Sequence, residues 1–87
     1  MDPRQKLKDL AVSDSGFVFD PYTAATYTVN PTGLVILEAL KDGLERDDLI
    51  ARIGDRFDVG AEDLHRDVDE FLHLLRSYGV VAHDFSI

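Results

Sequence analysis

The stretch FVFDPYTAATYTVNPTG, residues 17–33, constrains the fold more than any other part of the chain. FVF and TYTV are short runs rich in aromatic and β-branched side chains, and TYTV alternates with the two-residue period of a strand. Between them Asp20-Pro21 opens a turn, because proline presets φ at the second turn position and aspartate accepts a local backbone hydrogen bond. Asn30-Pro31-Thr32 then starts a helix at once, since asparagine is a good N-cap acceptor and proline at the first helical position wastes no hydrogen bond. A hairpin therefore feeds a helix with no spacer.

The flanking segments extend this plan. Residues 10–12 (LAV) form a short strand, and SDSG at 13–16 is a cluster of turn formers, which gives a three-stranded antiparallel meander. The first helix runs to about Asp42, buries Ile36, Leu37 and Leu40, and stops at Gly43. In the second, ERDD at 45–48 sets acids at the positive end of the helix, and Leu49, Ile50, Ile53 and Phe57 make the apolar stripe. Gly54 weakens that helix by roughly 1 kcal/mol relative to alanine. The third and longest helix spans about 61–78, with Gly79 as its terminator, and Val80-Val81-Ala82 extends as a tail or a small extra strand. Residues 1–8 (MDPRQKLK) read as a flexible arm before the first strand. The expectation is one α+β domain over residues 1–87, winged-helix-like, with an N-terminal three-stranded antiparallel sheet followed by three helices.

An 87-residue chain, 45% hydrophobic, has room for one core and no second. It holds no cysteine, so neither disulfides nor thiolate zinc sites are available and the fold rests on packing. Cytoplasm is the natural compartment. The longest apolar run, LVIL at 34–37, is far shorter than a membrane span or the core of a signal peptide.

Charge narrows the partners. The formal net charge is −8, and residues 45–87 carry 11 acids against 5 arginines. Such a surface repels phosphate backbones and anionic membranes. The third helix, the natural groove reader of a winged helix, offers Arg66 and Arg76 against Glu62, Asp63, Asp67, Asp69 and Glu70, whereas lysine and arginine supply most non-specific DNA affinity. A nucleic-acid-binding or regulatory winged helix stands as the alternative reading, on fold analogy alone.

Catalysis finds no footing in the sequence. His65 and His73 are separated by about 12 Å of helix rise, too far for one ion, so no metal site is assigned. The acids of the third helix pair with no nucleophile, the serines lack a nucleophile-elbow context, and no glycine-rich phosphate loop is present. No catalytic residue and no cofactor are expected, and the chain reads as a binding module rather than an enzyme.

At 100° per residue, Leu64, Val68, Phe71, Leu72 and Leu75 share one core-facing stripe of the third helix. Leu74 and Tyr78 lie at its far border together with Asp67, which sets apolar anchors beside a carboxylate. If the third strand is an edge, its unpaired backbone groups are a template for an added strand. Four such bonds at about 1 kcal/mol net each fall short of the roughly 8 kcal/mol that micromolar affinity requires. The Leu74 and Tyr78 border must supply the rest. A peptide with alternating hydrophobic residues would fill the groove between Thr26, Tyr27, Thr28 and Val29 and that helix border, unless another copy of the chain exchanges a strand there.

FVFDPYTAATYTVNPTG, the helix-glycine break LKDG, DDLIARIGDRFDV and DVDEFLHLLRSYGVV, in that order and spacing, resemble the PqqD-like family over nearly the whole chain. The resemblance implies a peptide chaperone, a recognition element for ribosomally made precursor peptides. In that family the leader peptide adds beside the third strand, in a cleft bordered by the third helix, and a modifying enzyme, often a radical SAM protein, acts on the delivered peptide. Carried onto this sequence, the strand is Thr26, Tyr27, Thr28 and Val29 and the wall is Asp67, Phe71, Leu74 and Tyr78. In the member that serves pyrroloquinoline quinone (PQQ) biosynthesis the precursor becomes a redox cofactor; the cognate peptide of this chain and its pathway stay open. One departure concerns the hairpin turn, where the family often places glycine and this chain has Ala24, since a left-handed backbone costs alanine roughly 1 kcal/mol.

Overall fold

A computed structural model describes residues 3–58 and 60–87, the side chain of Ala61 excepted. Its elements are α1 (Gln5–Asp9), β1 (Ala11–Val12), β2 (Phe17–Asp20), β3 (Ala25–Thr28), α2 (Pro31–Lys41), α3 (Arg46–Arg56) and α4 (Ala61–Ser77). The strands form one antiparallel sheet in the order β1-β2-β3. This is the expected α+β layout of a three-stranded sheet followed by three helices, with one short helix added in front.

The hairpin closes as its residues dictate. Asp20 accepts the Tyr22 N–H through Oδ1 at 2.8 Å, and its carbonyl accepts the Ala24 N–H at 2.8 Å. Ala24 takes the left-handed conformation at φ 60°, so this turn keeps the geometry that glycine usually serves and the alanine carries the strain. The neighbouring turn tolerates no such substitute. Gly16 sits at φ 91°, and a Cβ there would lie 2.5 Å from the Val29 carbonyl oxygen, so only glycine lets the end of β3 close against β2.

Helix ends follow the local signals. Asn30 caps α2 by accepting the Gly33 N–H at 2.7 Å, with proline at the first helical position. At the far end the Gly43 N–H reaches the Leu40 carbonyl and the Leu44 N–H the Ala39 carbonyl, both at 3.1 Å. The stop of α4 is the same, with Gly79 bonded to Arg76 and Val80 to Leu75. These are Schellman closures, which return the chain onto the helix it has just left. That return decides the fate of residues 80–82: the structure forms no strand there, and Val80 and Val81 turn inward as core.

The core is one cluster drawn from every helix and from β2. Ile36, Leu37 and Leu40 of α2 meet Leu49 and Ile53 of α3 and Leu64, Val68, Leu72 and Leu75 of α4, while Val18 joins them from the sheet. Ile50 and Phe57 are only partly buried at its margin.

Residues 3–8 differ most from the sequence reading, which places an arm there and no helix. Leu7 and Leu10, one turn apart, are both buried, and the Arg4 guanidinium lies inside the fold. It donates to the Leu40 carbonyl at 3.1 Å and the Leu44 carbonyl at 2.8 Å, where the negative end of α2 favours a cation. Arg4 also pairs with Glu45 at 3.2 Å and stands over the Phe85 ring. Met1 and Asp2, the start of the expected arm, lie outside the described residues.

Candidate functional site

The sheet order leaves β3 at an edge, with no strand beyond it among the described residues. Its register pairs Phe17 with Thr28, Val18 with Tyr27, Phe19 with Thr26 and Asp20 with Ala25. The Val29 N–H donates to the Gly16 carbonyl at 2.9 Å, which fixes the phase of the ladder. By antiparallel alternation Tyr27 and Val29 bond toward β2, and the N–H and C=O groups of Thr26 and Thr28 point away from the sheet. The open edge thus offers two donors and two acceptors.

Side chains alternate the other way. Tyr27 turns to the inner face, while Thr26 lies on the outer face with Phe17 and Phe19, where it borders a shallow apolar depression of about 300 Å³. Phe17 is 61% exposed and Phe19 40%. Of the strand residues expected to contact a peptide, Thr26 and Thr28 therefore present backbone to the edge, and only Tyr27 and Val29 turn side chains toward the helices.

α4 supplies the facing wall. The Tyr27 and Tyr78 rings stack with centroids 4.9 Å apart and planes 18° from parallel, tying the strand to the end of the helix. A groove of about 180 Å³ lies between α4 and the start of α2, with Asp67, Phe71 and Leu74 on one side. Phe71 is nearly buried and forms the floor, whereas Leu74 of α4 is 47% exposed and Tyr78, which caps the helix, 54% exposed. Of Asp67, Phe71, Leu74 and Tyr78, the first three line this groove opposite α2, and Tyr78 meets the edge strand through its stack on Tyr27.

The other side of the groove is Asn30, Thr32, Gly33 and Ile36, with Glu70 beside Asp67. Sequence reasoning assigns Asn30 to capping and Ile36 to core, and does not place them here. The signal is present nonetheless, because a helix that starts directly after an edge strand must line whatever lies beside that strand. Gly33 lets the helices approach: a Cβ there would stand 3.1 Å from Phe71 Cε1.

Two polar features in and near the groove go unanswered. The Tyr27 hydroxyl is shielded from solvent and has no hydrogen-bond partner among the described residues. Its burial, and then the charge of Asp20 and the Tyr78 phenol, push its ionisation above the ordinary 10.0. In the groove itself Asp67 and Glu70 have no hydrogen bond or ion pair among the described residues. The nearby cations are committed elsewhere, Arg66 to Asp63 at 3.3 Å and Arg46 to Asp69 and His65.

Among the described residues no group of three or more His, Asp or Glu side chains is placed to hold a metal ion, and no helix is long and apolar enough to cross a membrane. Neither the curated proteins nor the solved structures yield a match to the chain. The family model described as coenzyme PQQ synthesis protein D matches residues 16–81, from the glycine that closes the first turn to the valine that follows α4. On that span, which covers the sheet hairpin and all three long helices, the chain belongs to the PqqD family.

Proposed function

We propose that this protein is a non-catalytic peptide chaperone, which binds the leader of a ribosomally made precursor peptide and presents it to a modifying enzyme of the radical SAM type. The leader adds as a fourth strand on β3. Its outward side chains lie over Phe17 and Phe19, and its inward ones enter the groove against Leu74 and Tyr78. The observation that carries this reading is the coincidence of an open strand edge with a half-exposed apolar helix border, a pairing that soluble proteins otherwise avoid by blunting or covering the edge.

The magnitudes agree with a two-part site. Four edge bonds at about 1 kcal/mol each leave roughly 4 kcal/mol to be found for micromolar affinity, before the cost of association is counted. At about 25 cal/mol per Å², some 160 Å² of apolar surface provides it, which is within the scale of one large apolar side chain seated on Leu74 and Tyr78. Membership of a family described by PQQ synthesis supports work on a biosynthetic precursor. No catalytic role is assigned to any residue of the groove.

The test is Leu74→Asp. It sets a charge in the apolar part of the groove without touching the core, so it should abolish binding of the N-terminal half of a short peptide encoded beside the gene. The far-UV circular dichroism spectrum should stay nearly unchanged. Undiminished affinity in a folded Leu74→Asp protein would remove the groove from the binding site.

A further inference from the structure

Resting on the strand-addition reading, the groove also carries information about which peptide it takes. Its lining is apolar at Leu74, on the side toward Tyr78, and anionic at the other end, where Asp67 is half-buried and Glu70 exposed. The lining residues include no cation. The arginines of the neighbouring surface are held by Asp63 and Asp69, and Arg76 is spent on the Phe85 carbonyl. The start of α2 contributes the equivalent of about half a positive charge, already engaged in part by Asn30, and two carboxylates outweigh it. A net charge of −8 adds a field of the same sign over the whole molecule.

We infer that the groove selects a peptide strand bearing a lysine or arginine two residues from a large apolar side chain. The apolar residue sits on Leu74 and the cation at Glu70, with Asp67 one turn further on within reach of a long lysine or arginine side chain. The spacing follows from geometry. Alternate residues of a strand share a face about 6.8 Å apart, and one turn of α4, from Leu74 back to Glu70, rises about 6 Å. A cation one strand residue off this register would point to the outer face, over Phe17 and Phe19, away from both carboxylates. An acidic side chain in the groove register would meet like charges with no counterion, so the same pair excludes acidic peptides.

Selection of random 12-residue peptides from an mRNA-displayed library on the full chain tests this, with the double variant Asp67→Asn/Glu70→Gln selected in parallel. The expected result is enrichment of alternating apolar peptides with lysine or arginine at the two-residue spacing. In the double variant the apolar pattern should persist and the basic preference should disappear, and a selected basic peptide should bind it about tenfold more weakly than the native chain. Apolar strand peptides without the basic preference, or with one that the double variant retains, would overturn this inference and leave strand addition standing. A selection that enriches no strand peptide would overturn both.

Discussion

The two ends of β3 are built on opposite terms. Near the hairpin turn, polar groups are matched: Asp20 is buried and holds the Tyr22 N–H and the Lys6 ammonium, Lys6 reaches the Gly79 carbonyl at 3.0 Å, and the Tyr22 hydroxyl donates to Asp9. Beyond that end Arg4 ties the helix carbonyls of Leu40 and Leu44. Near the start of α2, Asp67 and Glu70 face the groove unpaired, Leu74 stands half exposed, and the edge groups of Thr26 and Thr28 bond to nothing in the sheet. Matched polar groups stabilise the fold where they are buried, and unmatched ones persist where a partner is to supply the match. Under the proposed function, the comparison separates the residues that hold the scaffold from those that would read a ligand.

Replacing Arg4 should break the matched end. Arg4→Ala strands the carbonyls of Leu40 and Leu44 and empties the space under Phe85, and a loss of about 2–3 kcal/mol is expected in urea unfolding. Peptide affinity of the fraction still folded should be unchanged. A variant as stable as the native chain would show that α1 is only draped on the domain.

Tyr27 lies between the two regimes, with its ring in the stack and its hydroxyl unsatisfied, and it sharpens the contrast by a smaller amount. Tyr27→Phe keeps the stack and removes the orphan hydroxyl, so stability should rise by about 1 kcal/mol. The same substitution should alter the response to alkali. Because the folded chain raises the ionisation of Tyr27 above its unfolded value of 10.0, the neutral phenol's contribution is complete below pH 10 and is lost as pH climbs through the folded value. Tyr27→Phe should flatten the stability curve above pH 10, while Tyr22, raised chiefly by its hydrogen bond to Asp9, keeps its share of the slope. A destabilised Tyr27→Phe protein would mean that the hydroxyl has a partner.

What the sequence disclosed is the part decided locally. The Asn30-Pro31 cap, the Asp20 turn and the stops at Gly43 and Gly79 each depend on a few adjacent residues, and each is found where the residues place it. The heptad-like stripe of α4 likewise separated Leu64, Val68, Phe71, Leu72 and Leu75, all buried, from Leu74 and Tyr78. What it did not disclose depends on distant contacts. Residues 5–9 form a helix within contacts made by Arg4 to carbonyls 36 and 40 residues away, and no local pattern announces that partner. Val80 and Val81 have strand propensity, but the closure at Gly79 directs them inward before any strand can pair. Half of the groove was missed for a related reason: Asn30, Thr32 and Ile36 have sufficient explanations in the cap and core of α2, Gly33 is explained only by the close approach of Phe71, and only the tertiary approach of α4 gives them a place in the groove.

Strand addition makes an alternating prediction that can be read amide by amide. Hydrogen exchange followed by NMR, in the free protein and with the N-terminal half of the neighbouring encoded peptide at saturation, should first show Tyr27 and Val29 protected and Thr26 and Thr28 exchanging freely. Binding should then slow Thr26 and Thr28 and leave the other two as they were. Peptide bound at saturation with Thr26 and Thr28 still exchanging freely would contradict the account, because the ligand would then be held somewhere other than the edge of β3.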